Sequence, residues 1–203
     1  MTPRLVLGSR NKKKLREMSD LLGDLGLDLA DLSSYPSAPE VEETADTFLG
    51  NATLKATRLA AVLGVWVIGE DSGLCVPALG GAPGVYSARY AGHHGDDAAN
   101  NAKLLAAMAA LTGRDREAYY VSTAVLADPT GQVVAAVEGR CPGIIVDSPR
   151  GSGGFGYDPL FLVPEFGQTF GELTPEVKQS ISHRAKAFRQ LRPLLEARLL
   201  GRA

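Results

Sequence analysis

The segment VWVIGEDSGLCV, residues 65–76, limits the fold more than any other stretch of the chain. It opens on an apolar, largely β-branched run, the composition of a buried strand. Two adjacent acids, Glu70 and Asp71, interrupt that run. Carboxylates in a buried strand cost stability unless they are paired or bind something. The strand therefore predicts a stretch of core that doubles as a site. It runs into ALGGAPGVYSARYAG, a glycine-rich loop.

The flanking segments supply the remaining elements. RLVLG is a short apolar strand, and Leu15, Met18, Leu21, Leu22 and Leu25 recur at helical spacing, which places Ser9 to Lys14 at a helix N-terminus. The polar stretch SSYPSAPEVEETAD is a loop, with Pro36 and Pro39 breaking any regular element. A second helix is predicted from about Thr44 to Leu63, with Phe48, Ala52, Ala56, Leu59, Ala60 and Leu63 on one face. Asp96 or Asp97 caps a third, which bears Leu104, Leu105, Met108 and Leu111. YYVSTAVLAD and QVVAAVEG, joined by Pro129, Thr130 and Gly131, read as an antiparallel hairpin, so the sheet is mixed. RGSGGFGYDP precedes a short strand, PLFLV. The last helix starts near Ser180 to Ser182, with Ala185, Phe188, Leu191 and Leu195 on one face, and Pro193 is expected to kink it or divide it in two.

Composition narrows the function. A chain of 203 residues, 45% hydrophobic and 22% charged, suits one domain or two closely packed lobes. A net charge of −2 supplies no basic field for a nucleic-acid polymer. Cys75 and Cys141 lack metal-ligand spacing and are expected as buried, reduced thiols. The apolar run from Leu59 to Ile68 is far short of a membrane span, and no export signal is visible, so a soluble, cytoplasmic protein is expected.

Four groups of residues could carry chemistry. SRNKKK, Ser9 to Lys14, places hydroxyl, amide and ammonium donors at a helix start, a place that favours anions such as a triphosphate; an N-capped helix with a solvated lysine face has the same sequence. Glu40, Glu42 and Glu43 in one loop, with Glu70 and Asp71 on the strand, could converge on a hard cation such as Mg²⁺. GGFGYDP permits close backbone approach and offers Phe155 or Tyr157 as a flat face for a base, although plain turns look alike. Lys178, Ser182, His183 and Arg184 gather donors at the start of the last helix.

In their order, SRNKKK, EETADTFLGNATLKA, EDSGLCVPALGGAPGVYSARYAG, GGFGYDPLF and ELTPEVKQSISHRAKA resemble the inosine triphosphate pyrophosphatase family from Leu5 to about Leu195. The resemblance implies a single α/β domain over residues 1–203: an elongated mixed central sheet flanked by helices, in two lobes with a nucleotide cleft between them, usually as a homodimer. It implies hydrolysis of ITP, dITP and XTP to monophosphate and pyrophosphate. By matching position it puts Ser9, Arg10, Asn11, Lys12, Lys13 and Lys14 on the triphosphate, Glu43 and Asp71 at Mg²⁺, and Asp71 as base for the attacking water. Lys55 and Ser72 resemble phosphate-side contacts or supports. Phe155, Gly156, Tyr157, Asp158, Lys178, His183 and Arg184 resemble the nucleoside-binding set. In that set, the donors at Lys178, His183 and Arg184 and backbone N–H groups near Phe155 to Asp158 are expected to meet the acceptor edge of a 6-oxo purine. One departure is Glu70, where many members have aspartate.

Two other readings use the same residues differently. A pyrophosphatase preferring modified pyrimidines would keep a similar phosphate loop but lack GGFGYDP and SHRAKA. A catalytically silent nucleotide sensor would have no use for Glu43 and Asp71 beside a polyphosphate.

Overall fold

Strands β1 (Arg4–Leu7), β2 (Asp28–Asp31), β3 (Trp66–Cys75), β4 (Glu117–Ala127), β5 (Val133–Ile145), β6 (Phe161–Val163) and β7 (Gln168–Thr169) form one sheet in the computed structural model, which describes residues 2–202. Their order is β2-β1-β3-β4-β5-β6-β7. β1 runs parallel to both β2 and β3, whereas β6 is antiparallel to β5 and β7, so the sheet is mixed as the sequence predicts. The turn 128–132 links neighbours β4 and β5, a connection so short that it joins antiparallel strands. Asp128 closes it by accepting from the Thr130 and Gln132 backbone N–H groups.

The helices are α1 (Lys12–Leu22), α2 (Phe48–Leu63), α3 (Asp97–Met108), α4 (Pro175–Ile181) and α5 (His183–Leu199). Several boundaries differ from the sequence reading. α2 begins four residues after Thr44, because the Thr47 side chain accepts from the Gly50 N–H and caps the helix there. Asp96, not Asp97, caps α3 by accepting from the Ala99 N–H, and Leu111 lies beyond the helix end. The C-terminal helical region is divided, but at Ser182, whose extended backbone separates α4 from α5. α5 continues through Pro193, held by the buried Phe188, Leu191 and Leu195 on either side of it. Packing here outweighs the hydrogen bond that proline forfeits.

The chain packs as two units. One comprises Met1–Asp71, Ser122–Gly139 and Arg184–Ala203; the other comprises Ser72–Val121 and Arg140–His183. In the first unit the pleat sorts side chains onto two faces. Leu5, Leu7, Ile68, Ala124 and Leu126 meet Met18 and Leu22 of α1 and Phe188, Leu191 and Leu195 of α5. Val6, Val67, Val125 and Ala127 meet Ala52, Ala56, Leu59 and Ala60 of α2. Burial on both faces explains why these strands are continuous apolar runs rather than alternating ones. In the second unit Tyr120, Phe161 and Phe170 form an aromatic centre with ring centroids 4.6 to 5.8 Å apart, and Leu104 and Met108 of α3 complete its core. Cys75 and Cys141 are free and buried, as expected. Among the described residues no helix is long and apolar enough to cross a membrane.

α2 lies so close to β3 that the strand needs a glycine. A Cβ on Gly69 would stand 2.1 Å from the Ala52 carbonyl oxygen and 2.5 Å from the Ala56 nitrogen, both backbone atoms that cannot step aside. Gly69→Ala is expected to lower unfolding free energy by about 3 kcal/mol or more, the upper end of an overpacking penalty. A guanidinium denaturation midpoint within experimental error of wild type would contradict the close approach.

Candidate active site

The pleat that sorts the core also separates the two acids. Ile68 faces α1 and α5 while Gly69 faces α2, so Glu70 and Asp71 continue the alternation onto opposite faces of β3. Glu70, 3% exposed, accepts from Lys14 Nζ at 2.5 Å, Ser122 Oγ at 2.8 Å and Arg184 Nη2 at 3.0 Å. Arg184 also pairs with Glu17 of α1. Burial alone would raise the Glu70 pKa, but Arg184 and Lys14 outweigh it and hold the carboxyl well below its usual range. Glu70 is therefore the anionic centre of a buried ion cluster that ties β3, β4, α1 and α5 together. Its carboxylate oxygens are taken up by protein donors.

Asp71 sits among the polar residues of α2. Asn51 Nδ2 donates to its Oδ2 at 3.1 Å, and Lys55 Nζ lies 3.6 Å from its Oδ1 and 3.2 Å from Glu43 Oε1. Burial raises the Asp71 carboxyl above its ordinary value; Lys55 opposes this, while Glu43 and Glu70 push in the same direction as burial. Of the three loop glutamates, Glu40 and Glu42 point to solvent and Glu43 reaches Lys55. Asn51 was not legible as a site residue, although its spacing one turn before Lys55 on a buried helix face is the signal that could have found it.

The SRNKKK segment folds as its own capping structure. Asn11 is the N-cap of α1 and accepts from the Lys13 and Lys14 N–H groups, while Ser9 Oγ accepts from the Asn11 N–H. Those helix-start donors are used within the loop. Arg10 donates to the Ala38 carbonyl at 3.2 Å and Lys12 to Ser33 Oγ at 3.1 Å, and Lys13 is an exposed residue. Lys14 is joined to β3 through Glu70.

The second unit holds the other group. Asp158, 3% exposed, accepts from Lys178 Nζ at 2.5 Å and from the Phe155 N–H at 2.8 Å. Lys178 Nζ also lies 5.0 Å from the Phe155 ring centroid and 5.3 Å from that of Phe170. His183 stacks on Tyr120 at 4.8 Å. Of the two aromatic faces, Phe155 is partly exposed, whereas Tyr157 is a core residue, 2% exposed, whose hydroxyl donates to the Ser87 carbonyl. The expectation that backbone N–H groups here read the base needs correction. Phe155 N donates to Asp158 Oδ2, Gly156 N to Asp97 Oδ2 and Asp158 N to the Phe155 carbonyl, so all three have partners within the protein. Arg184 likewise joins the Glu70 cluster rather than the Asp158 group, and Ser72 lies half-buried on β3 directly after Asp71.

The family profile of Ham1 matches residues 5–194 of the chain, a span that contains every candidate site residue described above. The chain belongs to the Ham1 family. This Ham1 chain is 46% identical over 192 residues to a dITP/XTP pyrophosphatase of Desulforamulus reducens, covering 95% of each. It is 49% identical over 191 residues to a dITP/XTP pyrophosphatase of Rhodopirellula baltica, covering 94% of this chain and 92% of that one. A HAM1 protein from Coxiella burnetii has the same fold, with a TM-score of 0.88 at 40% identity over 96% of this chain and 98% of that one.

For the Ham1 chain, the Glu70 cluster makes a stability prediction. Because the carboxyl pKa is depressed on folding, the unfolded chain binds more protons at acid pH. The stabilisation is present above the ordinary value of 4.5 and is lost as pH falls through the folded-state pKa. Glu70→Gln leaves Arg184 and Lys14 without their common anion and is expected to cost about 3 to 5 kcal/mol at neutral pH. The melting-temperature gap between the two proteins, measured from pH 7 downward, should begin to narrow below about pH 4.5 and close only below the depressed folded-state value. A gap that stays constant to pH 3 would show that the carboxylate charge is not the cause.

Proposed function

We propose that this chain hydrolyses non-canonical purine nucleoside triphosphates, ITP, dITP and XTP, to the monophosphate and pyrophosphate. The observation that carries the reading is the placement of Asp71: buried at the end of an apolar run, raised in pKa, and flanked by Glu43 and Lys55 in a chain nearly half identical to dITP/XTP pyrophosphatases. Asp71 takes the proton as a water oxygen bonds to phosphorus and the α–β phosphoanhydride bond breaks, with pyrophosphate carrying off the bond's electrons. A carboxyl of raised pKa is a stronger base than an ordinary one. Asn51 fixes the orientation of that carboxylate through its amide, and Lys55 sets its charge balance against Glu43.

Glu43 and Asp71 are the residues that would hold Mg²⁺. They are hard oxygen donors on separate elements, and at present one ammonium, Lys55, balances them both. Among the described residues no group of three or more His, Cys, Asp or Glu side chains could hold a metal by itself, so the protein offers a pair of carboxylates. This suits an ion that usually takes one or two carboxylates and completes its shell with water and substrate phosphates. When bound, Mg²⁺ would supply positive charge against the phosphate oxygens. Lys14, held by Glu70, is the cation assigned to the polyphosphate, and Phe155 with Lys178 is assigned to the base. Resemblance to the family also supports a homodimer and a cytoplasmic location.

A hypoxanthine or xanthine base presents a 6-oxo acceptor to the Lys178 and His183 donors, whereas adenine presents an amino donor and leaves a buried hydrogen bond unmade. Guanine shares the 6-oxo group and must be rejected at its 2-amino group. kcat/KM for ITP and XTP is expected to exceed that for ATP and GTP by at least ~10²-fold, roughly 2.7 kcal/mol. The test is a panel of these nucleotides with Mg²⁺ and with EDTA, with phosphate and pyrophosphate assayed separately. Equal rates on ATP or GTP would leave only a general pyrophosphatase, and release of orthophosphate would change the bond cleaved.

Asp71→Asn should lower kcat by at least ~10²-fold, the scale of a lost general base, with circular dichroism unchanged. Retention of more than half the wild-type turnover would remove Asp71 from the base role.

A further inference from the structure

The glycine loop that carries Phe155 is held from two sides. From within, Asp158 accepts from the Phe155 N–H, and the turn closes on that carboxylate so tightly that a Cβ on Gly154 would lie 1.9 Å from Asp158 Oδ2. From without, α3 grips the peptide groups of Gly156 itself. Asp97 Oδ2 accepts from the Gly156 N–H at 2.8 Å, and Asn101 Nδ2 donates to the Gly156 carbonyl at 3.1 Å. These two residues stand one turn apart on the same helix face and satisfy both backbone polar groups of one residue, whose φ of +61° belongs to glycine.

α3 steadies the other glycine-rich loop of the unit as well. Asn100, beside Asn101, accepts from the Ala91 N–H at 2.7 Å and donates to the Ala88 carbonyl at 3.4 Å. Tyr157, the residue after Gly156, donates to the Ser87 carbonyl at 2.9 Å. Movement of Gly156 is therefore resisted on its C-terminal side, and any slack passes to Phe155. The Phe155 ring lies 5.0 Å from Lys178 Nζ, so its position fixes the gap in which that ammonium works.

We propose that Asp97 and Asn101 are positioning residues for base selection. By clamping Gly156 they hold Phe155 against Lys178, in a geometry that admits hypoxanthine and leaves no room for the 2-amino group of guanine. The inference rests on the function proposed above. Hypoxanthine and guanine differ by one amino group, so a wall that rejects one of them must be fixed to a fraction of an ångström. A helix supplies that rigidity where a loop of glycines cannot.

Asp97 also sits in the first turn of α3, where an acid stabilises the helix, so its removal has a structural effect to be separated from positioning. Asp96→Ala is the control, because it deletes the N-cap and leaves the Gly156 contacts in place. Four variants, Asp97→Ala, Asp97→Asn, Asn101→Ala and Asp96→Ala, would be assayed with ITP and GTP beside wild type, with melting temperatures recorded and tripolyphosphate inhibition measured as a base-free readout. Asp97→Ala and Asn101→Ala should raise the KM for ITP and shrink the ITP-to-GTP ratio of kcat/KM, each on the order of tenfold, the scale of a lost supporting hydrogen bond behind a binding group. Tripolyphosphate inhibition should be unchanged in all four. Asp97→Asn keeps an acceptor for the Gly156 N–H and should restore most of the ratio; Asp96→Ala should lower the melting temperature and keep the ratio.

Selectivity lost equally in Asp96→Ala and Asp97→Ala would reduce the role to helix stability and overturn the proposal. An unchanged ratio in Asp97→Ala and Asn101→Ala would also overturn it. Failure of wild type itself to prefer ITP would instead sink the functional reading, so the two failures are told apart in one experiment.

Discussion

A carboxylate that loses nearly all its water must find its charge balanced by the protein, and in this chain that demand falls on Glu70. The residue lies in the strand that both layers of helices cover, so it cannot swing to solvent. Lys14 from α1, Arg184 from α5 and Ser122 from β4 are all required to satisfy it. Each of those residues comes from a segment distant in sequence, and each is fixed by the same acceptor. The start of α1, the start of α5 and the middle of the sheet are thereby set with respect to one another within the first unit. Asp71, one residue on and on the other face, is free of that structural duty. Two neighbouring acids divide the work because the pleat turns them in opposite directions.

Much of this organisation was legible in the sequence wherever a periodic apolar pattern met an unmistakable stop. The apolar line Ala185, Phe188, Leu191 and Leu195 is fully buried, and the strand bearing the acids was evident from its burial cost alone. β2 was not legible, because its four residues, DLAD, are half acid and occupy the sheet edge, where parallel pairing to β1 supplies the order that composition does not. α4 was missed for a different reason. Its Thr174 cap and Pro175 at the first position are a helix-start signal, but the helix has only seven residues and no apolar line. The break at Ser182 outranked Pro193 because the backbone of this buried residue between two helices is set by what its neighbours must reach, and here His183 stacks on Tyr120 while Arg184 turns to Glu70.

The site was legible as a list of residues rather than as a set of relationships. Glu43, Lys55 and Asp71 do come together, as do Phe155, Asp158 and Lys178. The sequence could not reveal which donors were already occupied. Glycines in GGFGYDP suggested exposed N–H groups, yet Asp158 and Asp97 take two of them, and Tyr157 is consumed by the core. Partnerships of this kind depend on α3 residues 55 and 59 positions upstream, and no local pattern around Gly156 reports them.

The cations of this protein are also less available than their number suggests. Lys12 faces Ser33 and Asp31, Lys14 faces Glu70, Lys55 is shared by Glu43 and Asp71, and Lys178 is held by Asp158. Each of these ammonium groups therefore has a carboxylate of the same chain close by, and a small anion reaching one of them meets a paired cation rather than a bare one. Orthophosphate or chloride has little to gain there, since it would have to part an ammonium from a carboxylate that already suits it. A guest succeeds only by replacing several such contacts at once, which a long polyanion attached to a flat, hydrogen-bonding head can do. The abundance of simple salts in the surroundings then matters less than the shape of the guest, because the charges that salt would screen are already satisfied at short range.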